Sequence, residues 1–229
     1  MDEGRAWLLL ADAGAPVRAR GNRPEHWLRA LPDYAELQRG EASHAVDYLA
    51  HGVPDLQVDG LPDRFHVLLR PDLPLREDQR QRLAAFEPQF ADLCSVLAER
   101  EIPPSIQHDD LHLNNIFVRG DRLRVLDWGD SSISHPFASL VVTFRFLEEA
   151  NGLPPYDPWF ARLRRAYLEP WGKNIDDTLA LALAVGAFAH AIACVRQRDH
   201  LDSTDHEAYD EDFRTVVSRA LAQTVREHF

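Results

Sequence analysis

Three oxygen-bearing side chains in the middle of the chain have the types and the spacing of a metal–phosphate site. Asn115 stands five positions after Asp110, and Asp127 stands twelve positions after Asn115. Two carboxylates and a carboxamide make a hard, oxygen-rich site, and magnesium bound to substrate phosphates prefers such ligands. The residue types therefore predict a site for magnesium and for the phosphates of a substrate.

A β-hairpin is the element that must bring these side chains together. Two short strand-like runs, Ile116–Val118 and Leu123–Leu126, lie between Asn115 and Asp127, and Gly120-Asp121 supplies a tight turn. Because a hairpin brings its two ends together, Asn115 and Asp127 are expected to lie side by side. The first carboxylate of the cluster should then lie close to both.

The spacing is also that of the catalytic segment of protein kinases, in which an Asp orients the acceptor hydroxyl and a later Asn and Asp hold metal ions. A lone Asp-x-x-x-x-Asn is common in loops. The preceding His108 and the following Asp127-Trp128 make the combination more specific. Two alternatives stay open from the residues alone. These are turn residues with local hydrogen bonds, and a hydrolase site in which His108, Asp110 and His112 bind zinc or iron.

A family resemblance rests on the same residues. Gln107–Phe117 is similar to the His-Gly-Asp-Leu-His-x-x-Asn-Ile segment of aminoglycoside phosphotransferases and choline kinases, and Val125–Trp128 resembles the strand and metal-binding Asp that follow it. The resemblance implies a protein-kinase-like fold and transfer of phosphate from ATP or GTP. It also implies that Asp110 is the catalytic base and that Asn115 and Asp127 bind Mg²⁺.

The resemblance assigns three further roles. His108 would brace the loop, while His112 and Asp130 would lie on the acceptor side and contact the substrate. From the residues alone, Asp130 is equally suited to cap the segment that begins at Ser131. Asp109 stands where the family usually has glycine, and the metal site is undisturbed if its side chain points outward.

The amino-terminal segment, Trp7–Gly14, resembles the last strand and the hinge of a kinase amino lobe. Its apolar run predicts a buried strand that enters a turn. No glycine-rich loop precedes Trp7, and the single lysine, Lys173, comes late. The resemblance thus implies a carboxy-terminal lobe whose amino lobe is missing. Backbone groups of the hinge would meet the nucleotide base at Leu10, Ala11, Asp12 and Ala13.

The rest of the chain is expected to be helical. Apolar residues recur at helical spacing in Pro32–Ala50 and in Arg76–Arg100, and Pro88 is expected to kink the second of these helices. Further helices are predicted at 137–151, 158–171, 175–198 and 204–228. The fold class is therefore α+β: a single, predominantly helical domain over 1–229, with a hinge-like strand and turn at 1–14 and the helical lobe, with its central hairpin, at 15–229.

Composition narrows the classes of partner. The net charge of −12, with 25 basic residues scattered among 37 acidic ones, argues against nucleic acid. Such a charge favours cationic partners and also serves solubility. The acidic group within Asp199–Asp212 is either a pocket for a polyamine-like acceptor or a solvated face, and a charge run favours the second.

Location follows from the apolar segments and the cysteines. Leu179–Val195 is shorter than the roughly 20 residues of a membrane span and predicts a buried core helix. Met1–Leu10 is too short and too acidic for a signal peptide, and Cys94 and Cys194 are predicted to be buried reduced thiols. A cytoplasmic small-molecule kinase with a hydroxyl acceptor is the first hypothesis. A catalytically incomplete kinase-like lobe, acting as a binding module or fragment, is the alternative.

Overall fold

Helices make up most of the chain that the structure, a computed structural model, describes: residues 11–21, 23–119, 122–154, 156–172, 175–202 and 204–223. The α-helices in these ranges are α1 (Pro24–Glu41), α2 (Ala45–Ala50), α3 (Leu61–Arg64), α4 (Glu77–Ala98), α5 (Leu140–Asn151), α6 (Pro158–Leu168), α7 (Asp176–Asp199) and α8 (His206–Gln223). The strands are β1 (Ala15–Pro16), β2 (Asp55–Leu56), β3 (Ser105–Gln107), β4 (Ile116–Arg119), β5 (Arg122–Val125) and β6 (Ser132–Ser134). The predicted mostly helical α+β architecture with a central hairpin agrees with this arrangement.

Two small sheets hold the two ends of the polar cluster. Strands β4 and β5 form the predicted antiparallel hairpin, with Ile116 opposite Val125. Strand β1 pairs with the other edge of β4. In the second sheet β6 lies between β2 and β3, parallel to the first and antiparallel to the second. Gln107 is opposite Ser132 there, so the residues just after β3 and just before β6 leave the sheet at the same edge.

The segment that precedes β1 lies flat against the hairpin. Gly14 has a φ of 92°, and a Cβ there would come within 2.3 Å of the Val118 carbonyl oxygen. Only glycine combines this backbone conformation with such a close approach. The backbone N–H of Gly14 also donates to the Asp12 carboxylate at 2.9 Å. The predicted strand at 7–10 lies outside the described residues.

The first helical region differs from its prediction. A single helix over Pro32–Ala50 is wrong in extent, because α1 begins at Pro24, in the first-turn position that proline favours. A 3-10 turn, Ala42–His44, then separates α1 from α2. The other long helices agree with the predictions to within a few residues, and α4 continues through Pro88. Residues 224–228 of the last predicted helix lie outside the described residues.

The core is built around α7. Its Phe188 packs against Phe86, Phe90 and Phe65 with ring centroids 4.9–5.7 Å apart, at the offset or tilted geometries that aromatic pairs prefer. By length and composition α7 could cross a membrane, but 83% of its most apolar window is buried inside the protein. The prediction of a buried core helix is confirmed. Both cysteines are buried and unpaired, as predicted.

Candidate active site

His108 ties the start of the polar cluster to its end. It directly follows β3, and its Nε2 donates to the Leu126 carbonyl at 2.8 Å across the hairpin. Burial lowers the pKa of His108, so the ring is neutral and carries its proton on the bonded nitrogen. Its ring also packs on Trp128, with centroids 4.8 Å apart. The His108 side chain therefore connects the start of the loop to Leu126, the residue before Asp127, as expected of a residue that braces the loop.

Asp110 is held as an ionised carboxylate by its two loop neighbours. His112 Nε2 lies 3.3 Å from Asp110 Oδ2, and Asn115 Nδ2 donates to the same oxygen at 3.0 Å and to the Asp110 carbonyl at 2.9 Å. Burial alone would raise the pKa of Asp110, but the bonds and charges of its partners outweigh it and lower the pKa. His112 Nδ1 accepts from the Asn114 N–H at 3.1 Å, which orients the ring for this contact.

Asp127 lies at the far end of the hairpin, where the Leu126 N–H donates to the Asn115 carbonyl at 2.9 Å. It adopts a left-handed backbone conformation (φ 65°, ψ 61°) that Asp tolerates better than most residues. Its side chain is exposed, and within the described ranges no Arg, Lys or His lies within 4 Å of it. The Asp127 carboxylate thus follows the residue that pairs with Asn115, and a carboxylate and a carboxamide are among the oxygen donors that Mg²⁺ prefers.

The Asp109 side chain was expected to point outward and so to leave the metal site undisturbed. It points into the protein instead. The side chain is buried and accepts hydrogen bonds from Ser132 Oγ and Gln107 Nε2, each at 2.5 Å. Burial raises the pKa of Asp109 to about 7 despite these donors. The backbone has a φ of 59°, which explains why glycine suits this position. The extra carboxylate therefore joins β3 to β6 in the core and leaves the Asp110–Asn115 arrangement intact.

A buried hydrogen-bond network under the loop fixes its backbone. Tyr34 Oη accepts from the His108 N–H at 3.0 Å and bonds Ser139 Oγ at 2.8 Å. Gln38 Nε2 donates to the Ile106 and Pro136 carbonyls at 3.1 Å. Helix α1 is thus bonded both to the strand before the loop and to the segment after β6. Satisfied buried networks of this kind rigidify what they join.

We predict that Tyr34→Phe lowers the free energy of unfolding by about 1–3 kcal/mol, because it leaves a buried N–H of the loop without a partner. Urea unfolding followed by circular dichroism measures this. Tyr48→Phe is the matched control, since that hydroxyl bonds Glu41 at the surface and its loss should change stability by less than about 0.5 kcal/mol. Equal effects of the two variants would contradict the bracing role of Tyr34.

The hinge-like residues lie on the hairpin side of the cluster. The Asp12 carbonyl accepts from Arg119 at 3.0 Å and from Arg124 at 2.9 Å, Ala11 is exposed, and Ala13 is buried. Leu10 lies outside the described residues. The arrangement brings this segment onto the strands that carry Asn115, but the Asp12 carbonyl is already bonded by two arginines.

Asp130 ends the 3-10 turn Trp128–Asp130 that follows Asp127, and it is half-buried. The segment that follows Ser131 is strand β6 and not a helix, so the geometry disfavours the capping alternative. The zinc or iron alternative is also disfavoured, because His108 and His112 each engage ring nitrogens in hydrogen bonds. Across the part of the chain that the structure describes, no three His, Cys, Asp or Glu side chains converge as metal ligands.

A cavity of about 520 Å³ opens among α5, α6, α7 and α8. Arg145 and His190 lie on its walls together with apolar and aromatic side chains such as Phe144. The acidic group of Asp199–Asp212 does not contribute to its lining, and two members are paired instead, Asp199 with Arg70 and Asp210 with Arg198. This arrangement agrees with the prediction that the acidic group within Asp199–Asp212 forms a solvated face.

The cavity residues and the inward direction of the Asp109 side chain were not predicted from the sequence. Arg145 gave a signal, because a charge between Phe144 and Phe146 interrupts an otherwise apolar run. His190 is buried on α7, and its ring makes only a weak contact, of Nε2 with Cys194 Sγ at 3.8 Å. Its Nδ1 has no hydrogen-bond partner within the described residues, and the Asp109 carboxylate lies 4.0 Å away.

Comparison with known proteins places this geometry in context. The profile of a family described as "Phosphotransferase enzyme family" (APH) matches residues 3–182. No curated protein matches the sequence significantly. Among solved structures, an ethanolamine kinase from Plasmodium vivax aligns with a TM-score of 0.58 at 15% identity, over 93% of this chain and 65% of that one.

Two further structures are similar. A choline/ethanolamine kinase family protein from Mesorhizobium loti aligns with a TM-score of 0.54 at 18% identity, over 95% of this chain and 71% of that one. The GDP complex of aminoglycoside 2'-phosphotransferase-IIIa aligns with a TM-score of 0.56 at 14% identity, over 93% of this chain and 69% of that one. At these identities the likeness shows a shared kinase-like fold. The chain spans about two thirds of the length of these structures.

Proposed function

The chain belongs to the phosphotransferase enzyme family, and we propose that it transfers the γ-phosphoryl group of ATP or GTP to a hydroxyl of a small molecule. The observation that carries the proposal is the Asp110 carboxylate, which His112 and Asn115 hold in place. Asn115 stands at one end of the hairpin, and its backbone pairs with Leu126, the residue before Asp127. The similarity in fold to ethanolamine, choline/ethanolamine and aminoglycoside kinases supports a small-molecule acceptor.

In the proposed reaction Asp110 accepts a hydrogen bond from the acceptor hydroxyl and orients its oxygen toward the γ-phosphorus. A bond forms between that oxygen and phosphorus, while the bond from phosphorus to the β,γ-bridging oxygen breaks. The nucleoside diphosphate leaves with the electron pair, and the hydroxyl proton passes to the Asp110 carboxylate. Phosphoryl transfer needs little more of a protein than such positioning and charge compensation.

Asn115 and Asp127 are the residues that would hold Mg²⁺, through the carboxamide oxygen and the free carboxylate. When bound, the cation neutralises the developing charge on the nucleotide phosphates. Asn115 has a second task, because its Nδ2 donates to Asp110 and so couples the base to the metal side of the site. His112 and Asp130 lie on the acceptor side, and the backbone of residues 10–13 would meet the nucleotide base.

Transfer should require both a divalent cation and a hydroxyl. The protein is mixed with γ-labelled ATP or GTP, Mg²⁺ and a panel of small hydroxyl compounds, and label transfer is followed by mass spectrometry. We expect a phosphorylated acceptor that disappears with excess EDTA and returns when Mg²⁺ is restored. Matched compounds without the hydroxyl, such as ethylamine for ethanolamine, serve as controls.

Two results would count against the kinase proposal. One is release of free phosphate that EDTA does not affect, which would point to a hydrolase. The other is the absence of any magnesium-dependent product with either nucleotide, which would favour a non-catalytic binding lobe.

A further inference from the structure

The cavity among α5–α8 has the size and wall chemistry of a small-molecule site. Its volume of about 520 Å³ lies in the range of ligand pockets, and much of its wall is apolar, including Phe144, Phe160, Leu179 and Val216. Such a wall suits an acceptor with an apolar body. The charged residues on the wall then select acceptors by the charge of their polar group.

One cation on the cavity wall, Arg145, has no carboxylate partner among the described residues. Arg145 is half-buried, its guanidinium stacks over the Phe146 ring at 4.9 Å, and its Nε is buried without a hydrogen-bond partner among the described residues. Buried donors in proteins are almost always satisfied, so the unsatisfied Nε marks a guanidinium whose charge no carboxylate of the described residues compensates. Arg164, at the exposed side, lies over the Phe144 ring at 5.6 Å and likewise has no carboxylate within reach in the described ranges.

Most carboxylates on the wall are already engaged. Glu148 pairs with Arg219, whose guanidinium also lies 3.8 Å from Glu149. Asp157 caps α6 by accepting from the Trp159 N–H at 2.9 Å. Asp176 is exposed in the first turn of α7, where the helix dipole favours a negative charge. None of these carboxylates therefore neutralises Arg145, whose positive charge is left for a ligand in the cavity.

Arg145 is linked to the catalytic loop through two neighbouring side chains, His190 and Phe146. Burial, then the nearby Arg145 charge, lowers the pKa of His190 to about 4, so that ring is neutral. His190 Nδ1 lies 4.0 Å from the Asp109 carboxylate, next to the proposed base. From the other direction, Phe146 contacts the His112 ring at 4.6 Å, and His112 reaches Asp110 at 3.3 Å.

We propose that this cavity is the acceptor pocket and that the acceptor is anionic: an apolar hydroxyl compound whose carboxylate or similar group is bound by Arg145. This rests on the proposed kinase function for the identity of the site. It departs from the cationic acceptor that the overall charge of −12 would favour. A guanidinium binds a carboxylate through paired, charge-assisted hydrogen bonds, so Arg145 selects by charge and by geometry.

The test compares two ligands that differ only in the charged group. Para-hydroxymethylbenzoate and para-aminomethylbenzyl alcohol share a ring and a hydroxymethyl group and carry opposite charges. We expect calorimetric titration of the protein without nucleotide to give binding of the benzoate about tenfold or more tighter than that of the amine. Arg145→Gln should lose about tenfold in benzoate affinity, equivalent to about 1.4 kcal/mol. Arg164→Gln should lose less.

Arg165→Gln, an exposed arginine on α6 outside the cavity, is the matched control and should bind the benzoate as the parent does. Thermal unfolding of each variant shows that it is folded. The inference is overturned if the amine binds as tightly as the benzoate, if neither binds, or if the Arg145 and Arg165 variants bind alike. Because binding is measured without turnover, a failure of phosphoryl transfer with intact benzoate binding would count against the kinase proposal alone.

Discussion

Asp110→Asn is expected to lower the rate of phosphoryl transfer by about 10²–10⁴-fold while leaving nucleotide binding largely unchanged. A positioned general base contributes a factor of this size, and asparagine fills the same space without being able to accept the hydroxyl proton. The carboxylate keeps its pKa below the ordinary value, so it is ionised across the neutral range and the loss should be similar at every pH tested there.

The substitution is conservative for the fold. Asp110 is half-buried, and its backbone carbonyl rather than its side chain holds the shorter of the two bonds from Asn115. The loop is also held by His108 and Tyr34, which the variant leaves untouched. A variant that unfolds at the same temperature as the parent but has lost transfer would therefore locate the defect in the chemistry.

The readout is single-turnover label transfer at saturating nucleotide, with nucleotide affinity measured in parallel. Asp92→Asn removes an exposed carboxylate on α4 and is expected to behave as the parent. Full activity of the Asp110 variant would remove Asp110 from the role of base. A loss of nucleotide affinity equal to the loss of rate would instead give Asp110 a binding role.

The local features of the site could be predicted from the sequence because they depend on neighbours along the chain. A hairpin of two short apolar runs fixes which residues meet at its open end, so the proximity of Asn115 to the segment before Asp127 followed from topology alone. The spacing of Asp110 and Asn115 similarly set up a bond within one loop. The long helices could be predicted because apolar residues recur at helical spacing over several turns of each.

Features that depend on distant partners could not be predicted. The inward direction of Asp109 is set by Ser132 and Gln107 in a sheet whose strands are two or three residues long, too short to show a period. The orphaned guanidinium of Arg145 likewise depends on how α5 packs against α7. The boundary between α1 and α2 was missed because apolar spacing continues across the 3-10 turn that separates them.

Asp127→Ala is expected to weaken magnesium-dependent nucleotide binding by about two orders of magnitude. Changes to groups that merely support a metal ligand typically cost 10–100-fold, so removal of a direct carboxylate ligand should reach at least the upper end of that range. The structure gives Asp127 no competing partner within the described residues, and its exposed side chain carries little of the fold. Because alanine tolerates the left-handed backbone conformation of this position less well than aspartate, the free energy of unfolding should fall by about 1 kcal/mol, which leaves the variant folded.

The most direct measurement is calorimetric titration of the protein and of Asp127→Ala with ATP and GTP, each with and without Mg²⁺, with Asp92→Ala as the control. The account predicts that the parent and the control bind nucleotide in a magnesium-dependent manner and that Asp127→Ala loses this binding. Nucleotide binding by the parent that does not depend on Mg²⁺, or equal binding by the parent and Asp127→Ala, would contradict it.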